Sequence, residues 1–115
     1  MNKFALFAFN GDPVCFIHVV LNAIDMNEKG YVAKIIMEGA ATKLIEPLSQ
    51  PDNPLNNNWQ KVKELRLVEG VCKACATKMG TLKEAESQGL TLLDDMSGHP
   101  SMTRYLDAGF EIITF

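Results

Sequence analysis

Lys3-Phe-Ala-Leu-Phe-Ala-Phe9, followed at once by Asn10-Gly-Asp-Pro13, decides how the rest of the chain is read. The run is almost continuously apolar without clean alternation, the pattern of a central parallel strand buried on both faces. Asp12 then offers a side-chain oxygen as an N-cap, and Pro13 suits the first helical position. Phe16, Ile17, Val20, Leu21 and Ile24 recur at helical spacing before Gly30 closes the helix. Tyr31-Val-Ala-Lys-Ile-Ile-Met-Glu38, rich in apolar and branched residues and ended by Gly39, is predicted to be the second strand.

Further along, Ala41, Leu44, Ile45 and Leu48 share a helical face that Pro47 must kink or end. Gln50 to Pro54 is a loop, and Leu55, Trp59, Val62 and Leu65 mark another amphipathic helix. Glu69-Gly70 reads as a break, so the third strand is predicted over Val71 to Cys75, with its carboxyl end in or near the cysteine pair. Thr81-Leu-Lys-Glu84 has the form of a capping box, and Gly89 stands where a C′ glycine closes a helix. Leu90 to Leu93 is the fourth strand, Asp94 to Pro100 a polar turn, Ser101 to Ala108 a short helix ended by Gly109, and Phe110 to Phe115 the fifth strand. Such alternation predicts an α/β fold, a three-layer α/β/α sandwich with a mostly parallel five-stranded sheet and right-handed crossovers, in one domain over residues 1–115. Chemistry in such sheets gathers outside the carboxyl ends of the strands. Those ends supply Asn10, Asp12, Glu38 and Ser97 as pocket-lining candidates and the segment from Cys72 to Ala76 as the reactive one.

Composition narrows the function. Eleven basic against fourteen acidic residues leave a net charge of −3, opposite to the footprint that a phosphate backbone requires, so nucleic acid is not an expected partner. The longest uncharged stretch, Pro13 to Ile24, falls short of the ~20 apolar residues of a membrane span. The leading apolar run is stopped by Asn10-Gly-Asp-Pro13 before a secretory core of roughly 7–15 residues forms, and a cytoplasmic location is expected. The first strand-to-helix turn has neither G-x-G-x-x-G nor G-x-x-x-x-G-K-S/T, so no nucleotide and no other cofactor is expected.

Three cysteines, an odd number, include Cys72-Lys-Ala-Cys75, which in a reducing compartment points to metal or redox chemistry rather than a structural staple. A thioredoxin-like domain places such a pair after the first strand of its core unit, at the start of a long helix; here the pair comes late. Only a thiolate attacks a sulfur donor, and Lys73 and Lys78 are charges that favour one. With Cys75 three residues on, a persulfide on Cys72 is open to internal attack that releases sulfide and leaves a disulfide. The contrary reading makes both cysteines small buried apolar residues beside Ala74 and Ala76. Cys15-Phe-Ile-His18 puts a thiol and an imidazole on one helix face, which with Cys72 and Cys75 would complete a Cys₃His zinc shell. Nothing in the sequence makes the two pairs converge, so no metal is expected. His99 is read as a turn residue and Asp94 and Asp95 as loop and cap residues. Trp59, Tyr105 and Phe115 are candidates for a subunit contact.

Gly70-Val-Cys-Lys-Ala-Cys-Ala-Thr-Lys-Met-Gly80 resembles the segment after the third strand in the DsrE/DsrF-like family, small α/β proteins related to sulfur-relay subunits, where a cysteine lies eight residues before a glycine. Cys72 and Gly80 take those places. The apolar first strand, the helix opened near Pro13 and the closing turn Asp107-Ala-Gly-Phe-Glu-Ile112 extend the resemblance along the chain. It implies a three-layer α/β/α domain, often assembled as homotrimers or hexamers, some of whose members carry sulfane sulfur on the matching cysteine. By position, Cys72 is the persulfide-bearing residue. Relay members generally work with a single cysteine, and Cys75 is a departure. The resulting expectation is a DsrE-like homo-oligomer that exchanges sulfane sulfur with a donor or acceptor protein through Cys72, with Cys75 as resolving thiol. The alternative is a non-catalytic oligomeric domain that binds a small ligand or protein and uses its cysteines structurally.

Overall fold

Each side chain from Ala5 to Ala8 is buried, as a strand covered on both faces requires. In the structure, a computed structural model describing residues 2–115, this strand is β1 (Lys3–Ala8). It lies between β2 (Val32–Met37) and β5 (Glu111–Thr114); β3 (Val68–Cys72) pairs with the far side of β2, and β4 (Leu92–Leu93) with β3. The sheet order is β4-β3-β2-β1-β5, and all neighbours are parallel.

The helices are α1 (Pro13–Glu28), α2 (Ile45–Leu48), α3 (Asn56–Glu64), α4 (Lys73–Met79), α5 (Leu82–Ser87) and α6 (Met102–Asp107), with a 3-10 segment over Gly39–Leu44. Strand order fixes their layers. From β1 to β4 the chain steps in one direction across the sheet, so right-handed crossovers put α1 to α5 on one face. The return from β4 to the opposite edge puts α6 on the other. The two cores agree. Leu6 and Ala8 of β1 pack with Phe16, Val20, Trp59, Val62, Ala76 and Ala85, whereas Ala5 and Phe7 pack with Ile36, Leu93, Tyr105 and Phe110. The result is the three-layer α/β/α arrangement, thick on one side and thin on the other. Among the described residues no helix is long and apolar enough to cross a membrane.

Several boundaries differ from the sequence reading. β3 starts at Val68 and ends at Cys72, so the segment after it is a helix, not the end of a strand. Glu69 and Gly70 do not break the chain there. Glu69 is held by Lys34 Nζ at 3.1 Å and by the Tyr105 hydroxyl, which donates to it at 3.0 Å. Gly70 is the only residue the β3–β4 contact admits, since a Cβ would sit 2.7 Å from both Leu93 Cγ and the Thr91 carbonyl oxygen. β4 is shorter than Leu90 to Leu93, and the helix begun by Thr81 lacks the side-chain cap bond of a capping box. Trp59 is fully buried and Tyr105 nearly so, which makes both core residues rather than subunit-contact residues.

Candidate functional site

Parallel strands align their carboxyl ends, and the ends of β2, β3 and β4 bring four reactive side chains together. Cys72 is both the last residue of β3 and the N-cap of α4; its Sγ accepts the Cys75 backbone N–H at 3.3 Å. Cys75 sits in the first turn of α4. Glu38 follows β2, its N–H bonded to the Ala8 carbonyl at 2.8 Å and its own carbonyl accepting from Ala41 at 3.1 Å. His99 comes from the connection after β4.

A tight turn holds His99 in place. Met96 and His99 bond each other reciprocally, at 2.7 and 2.9 Å, around Ser97 (φ 51°) and Gly98 (φ 89°). Two positive φ angles in succession are those of a type I′ turn. The Gly98 carbonyl accepts the Ala74 N–H at 2.9 Å, and a Cβ on Gly98 would lie 3.3 Å from the Ala74 Cβ. The turn and the first turn of α4 are thereby locked against each other, with the imidazole over the sulfurs. His99 Nδ1 is 3.1 Å from Cys72 Sγ and 3.8 Å from Cys75 Sγ. With a Glu38 carboxylate oxygen, these donor atoms all lie within 4.8 Å of one another.

The two sulfurs differ in access. Cys72 is sealed, with no exposed surface, whereas Cys75 and His99 are partly exposed. Of the pair, Cys75 is therefore the residue more open to solvent, whereas the sequence reading assigns the persulfide to Cys72. Burial pushes the Cys72 thiol up to about 12; the neighbouring Cys75 side chain and the Glu38 carboxylate add to this, while the Cys75 N–H works against it. Burial also raises the Glu38 carboxyl, and His99 pulls it back. A protonated Cys72 donates toward His99 Nδ1 when the imidazole carries its proton on Nε2. Glu38 also borders a surface hollow formed with Phe9, Met96, Pro100, Met102 and Thr103.

Of the four pocket candidates, only Glu38 joins this cluster. Asp12 caps α1, accepting from Val14 N–H at 2.9 Å, and Asn10 Oδ1 accepts from Asp12 N–H at 2.8 Å. Ser97 is a turn residue. Lys73 is paired with Asp94 at 3.7 Å, and Asp95 caps Ser101 N–H at 3.1 Å. Cys15 and His18 do share a face, but they line a separate hollow with Asn10, Asn22 and Phe115, so the Cys₃His shell does not form. His99 is the residue the sequence reading underrates. No spacing betrays it; only the placement of β4 beside β3 puts its turn over Cys72.

No family model matches the chain. The chain is 39% identical over 97 residues to the uncharacterized protein MJ0733 of Methanocaldococcus jannaschii, a match spanning 84% of this chain and 77% of that protein. An uncharacterized protein of Archaeoglobus fulgidus is 50% identical over 40 residues, covering 35% of this chain and 66% of that protein. The solved structure of BT1422, a conserved protein of unknown function from Bacteroides thetaiotaomicron, matches 99% of this chain and 95% of its own with a TM-score of 0.72 at 17% identity, a likeness of fold alone. At 39% identity over most of both sequences, the chain belongs to the family of the Methanocaldococcus jannaschii protein MJ0733.

Proposed function

We propose that this chain handles sulfane sulfur through the Cys72–Cys75 pair, with Cys75 as the sulfur met from outside and Cys72 as its buried partner. The observation that carries the reading is the pairing itself: two thiols, one sealed and one open, share a single imidazole at the carboxyl edge of a parallel sheet. Resemblance of Gly70 to Gly80 to the DsrE/DsrF-like segment supports sulfur chemistry at this place in the fold, and the assignment of the outer role to Cys75 rests on its exposure instead.

The loading step is redox-neutral. Cys75, its proton passed to His99 Nδ1, attacks the outer sulfur of a donor persulfide R–S–SH. A new S–S bond forms on Cys75, the donor S–S bond breaks, and the leaving thiolate takes the proton from His99 to become R–SH. Cys72 then offers a second step. Attack of its sulfur on Cys75 Sγ expels hydrosulfide, with the Cys72 proton taken up by His99, and leaves a Cys72–Cys75 disulfide that an external thiol reduces. Exposed Phe9 and Met96 beside Glu38 give a protein donor or acceptor an apolar surface to meet. Exposed Val14 and Leu21 on α1 fit assembly into a closed trimer or hexamer. A reducing cytoplasm suits free thiols.

The test is anaerobic incubation of the reduced, metal-free protein with a low-molecular-weight persulfide, followed by intact mass and peptide mapping. In Cys72→Ser one added sulfur is expected to stay on Cys75; in the unaltered protein that sulfur, or the Cys72–Cys75 disulfide and free sulfide that follow its loss, is expected, and Cys75→Ser should show neither. Absence of added sulfur on Cys75 in Cys72→Ser, together with no sulfide release from the unaltered protein, rejects the reading.

A further inference from the structure

Four donors of three kinds converge here from four segments: a carboxylate after β2, a thiol at the end of β3, a thiol in the first turn of α4 and an imidazole on the turn after β4. Thiol–disulfide chemistry needs the two sulfurs and a base. It has no use for a buried carboxylate, and none of the five ion pairs among the described residues includes Glu38. We propose that Glu38, Cys72, Cys75 and His99 form a binding site for a thiophilic divalent cation of the zinc class, and that its occupation withdraws the cysteine pair from sulfur chemistry.

The distances suit such an ion. Bonds of about 2.0–2.3 Å from a tetrahedral centre to nitrogen, oxygen and sulfur place the ligand atoms roughly 3.3–3.8 Å apart. The two sulfur–Nδ1 separations are 3.1 and 3.8 Å, and no donor pair exceeds 4.8 Å, so a contraction of at most ~1.5 Å closes the shell. Two sulfurs and an imidazole select zinc-class ions over magnesium or calcium, which require oxygen shells. The framework is already set: Nδ1 faces both sulfurs, and the Ala74–Gly98 bond fixes the two turns that carry Cys75 and His99. Binding converts both thiols to thiolates and releases two protons. Four protein donors fill the tetrahedron, and both sulfur lone pairs needed for attack on a persulfide are then engaged. This second clause rests on the sulfur reading above; metal binding itself does not.

The experiment uses the reduced full chain stripped of metal, titrated with Co²⁺ and then competed with Zn²⁺. One Co²⁺ per chain is expected, with thiolate-to-cobalt charge-transfer bands and the visible bands of a tetrahedral ion. Both should be displaced by Zn²⁺. Because Cys75 and His99 are partly exposed, Cys75→Ser and His99→Asn are the variants least prone to unfold, and circular dichroism checks each. Each is expected to weaken binding by more than the ~10–100-fold typical of losing an outer-sphere contact. Glu38→Gln should weaken it as well, and Cys15→Ser should not change it. Absence of stoichiometric Co²⁺ bands, or unchanged affinity in His99→Asn and Glu38→Gln, overturns the site. Pre-loading with Zn²⁺ is expected to block sulfur addition to Cys75; unchanged addition to the metal-bound chain overturns the second clause. Sulfur addition without metal binding would reject this site and leave the sulfur reading intact. Metal binding without sulfur addition would do the reverse.

Discussion

The split between a sealed and an open sulfur can be read by differential alkylation. With a thiol raised from 9.0 to about 12, Cys72 at about pH 8 is ionised to only ~10⁻⁴, against ~10⁻¹ for an unshifted thiol, a deficit of ~10³ before burial is counted. The reduced, metal-free protein is treated with iodoacetamide under native conditions, quenched over time, digested and read by mass spectrometry. Cys15 and Cys75, both partly exposed, serve as internal references. Cys72 is expected to lag Cys75 by about the same factor or more in the folded state and to catch up in denaturant. Labelling of Cys72 within ~10-fold of Cys75 would refute the division of roles. The sign of the linked pH effect follows from the same shift. Folding raises this pKa, so the contribution to stability is fully present below the unfolded value near 9.0 and is lost as pH climbs toward about 12. Removing the thiol by Cys72→Ala should flatten that alkaline decline.

Gly70→Ala pushes a Cβ to within 2.7 Å of Leu93 and of the Thr91 carbonyl, and is expected to cost about 1–3 kcal/mol by overpacking the β3–β4 contact. An unchanged Tm would contradict the close approach of those strands. Tyr105 is held protonated above its ordinary 10.0 by burial first and then by the charge and hydrogen bond of Glu69. Its linked stability is full below that value and lost above it. One of the two tyrosines should therefore ionise late in an alkaline absorbance titration of the folded protein, and Glu69→Gln should bring it earlier; identical titrations of folded and unfolded chains would reject this.

What the sequence discloses and what it conceals divide along physical lines. β1 is legible because burial on both faces writes a continuous apolar run, and α1 because Asp12 and Pro13 form a cap that local chemistry alone specifies. The helix Lys73–Met79 is invisible because its only buried residue is Ala76. It is held instead by the Cys72 cap and by the Gly98 carbonyl, a partner distant in sequence. Glu69 and Gly70 look like a break because polarity and a missing side chain signal one locally. Their partners Lys34, Tyr105 and Leu93 turn the same two residues into strand. The site follows the same rule. Cys72 and Cys75 are found by spacing and Glu38 by its place after a strand, but His99 enters through strand order, which no spacing encodes.

The brevity of β4 is what lets the site exist. Leu93, its last residue, pairs with Cys72 at the end of β3, so the two strands stop level with each other. Instead of running on in the plane of the sheet, the chain leaves through Asp94 and returns in the Met96–His99 turn, which lays an imidazole over the sulfur. A longer β4 would carry that turn past Cys72 by ~3.3 Å per residue, enough to break a 3.1 Å contact. The same parallel register brings Glu38 to the neighbouring position, since β2 lies between β1 and β3. The four reactive groups are therefore fixed by three strand ends, that of β2 for Glu38, that of β3 for both cysteines and that of β4 for His99. Their meeting depends on the sheet being in register, and loss of the β3–β4 pairing would scatter the cluster before it unfolded the larger core on the α1 face.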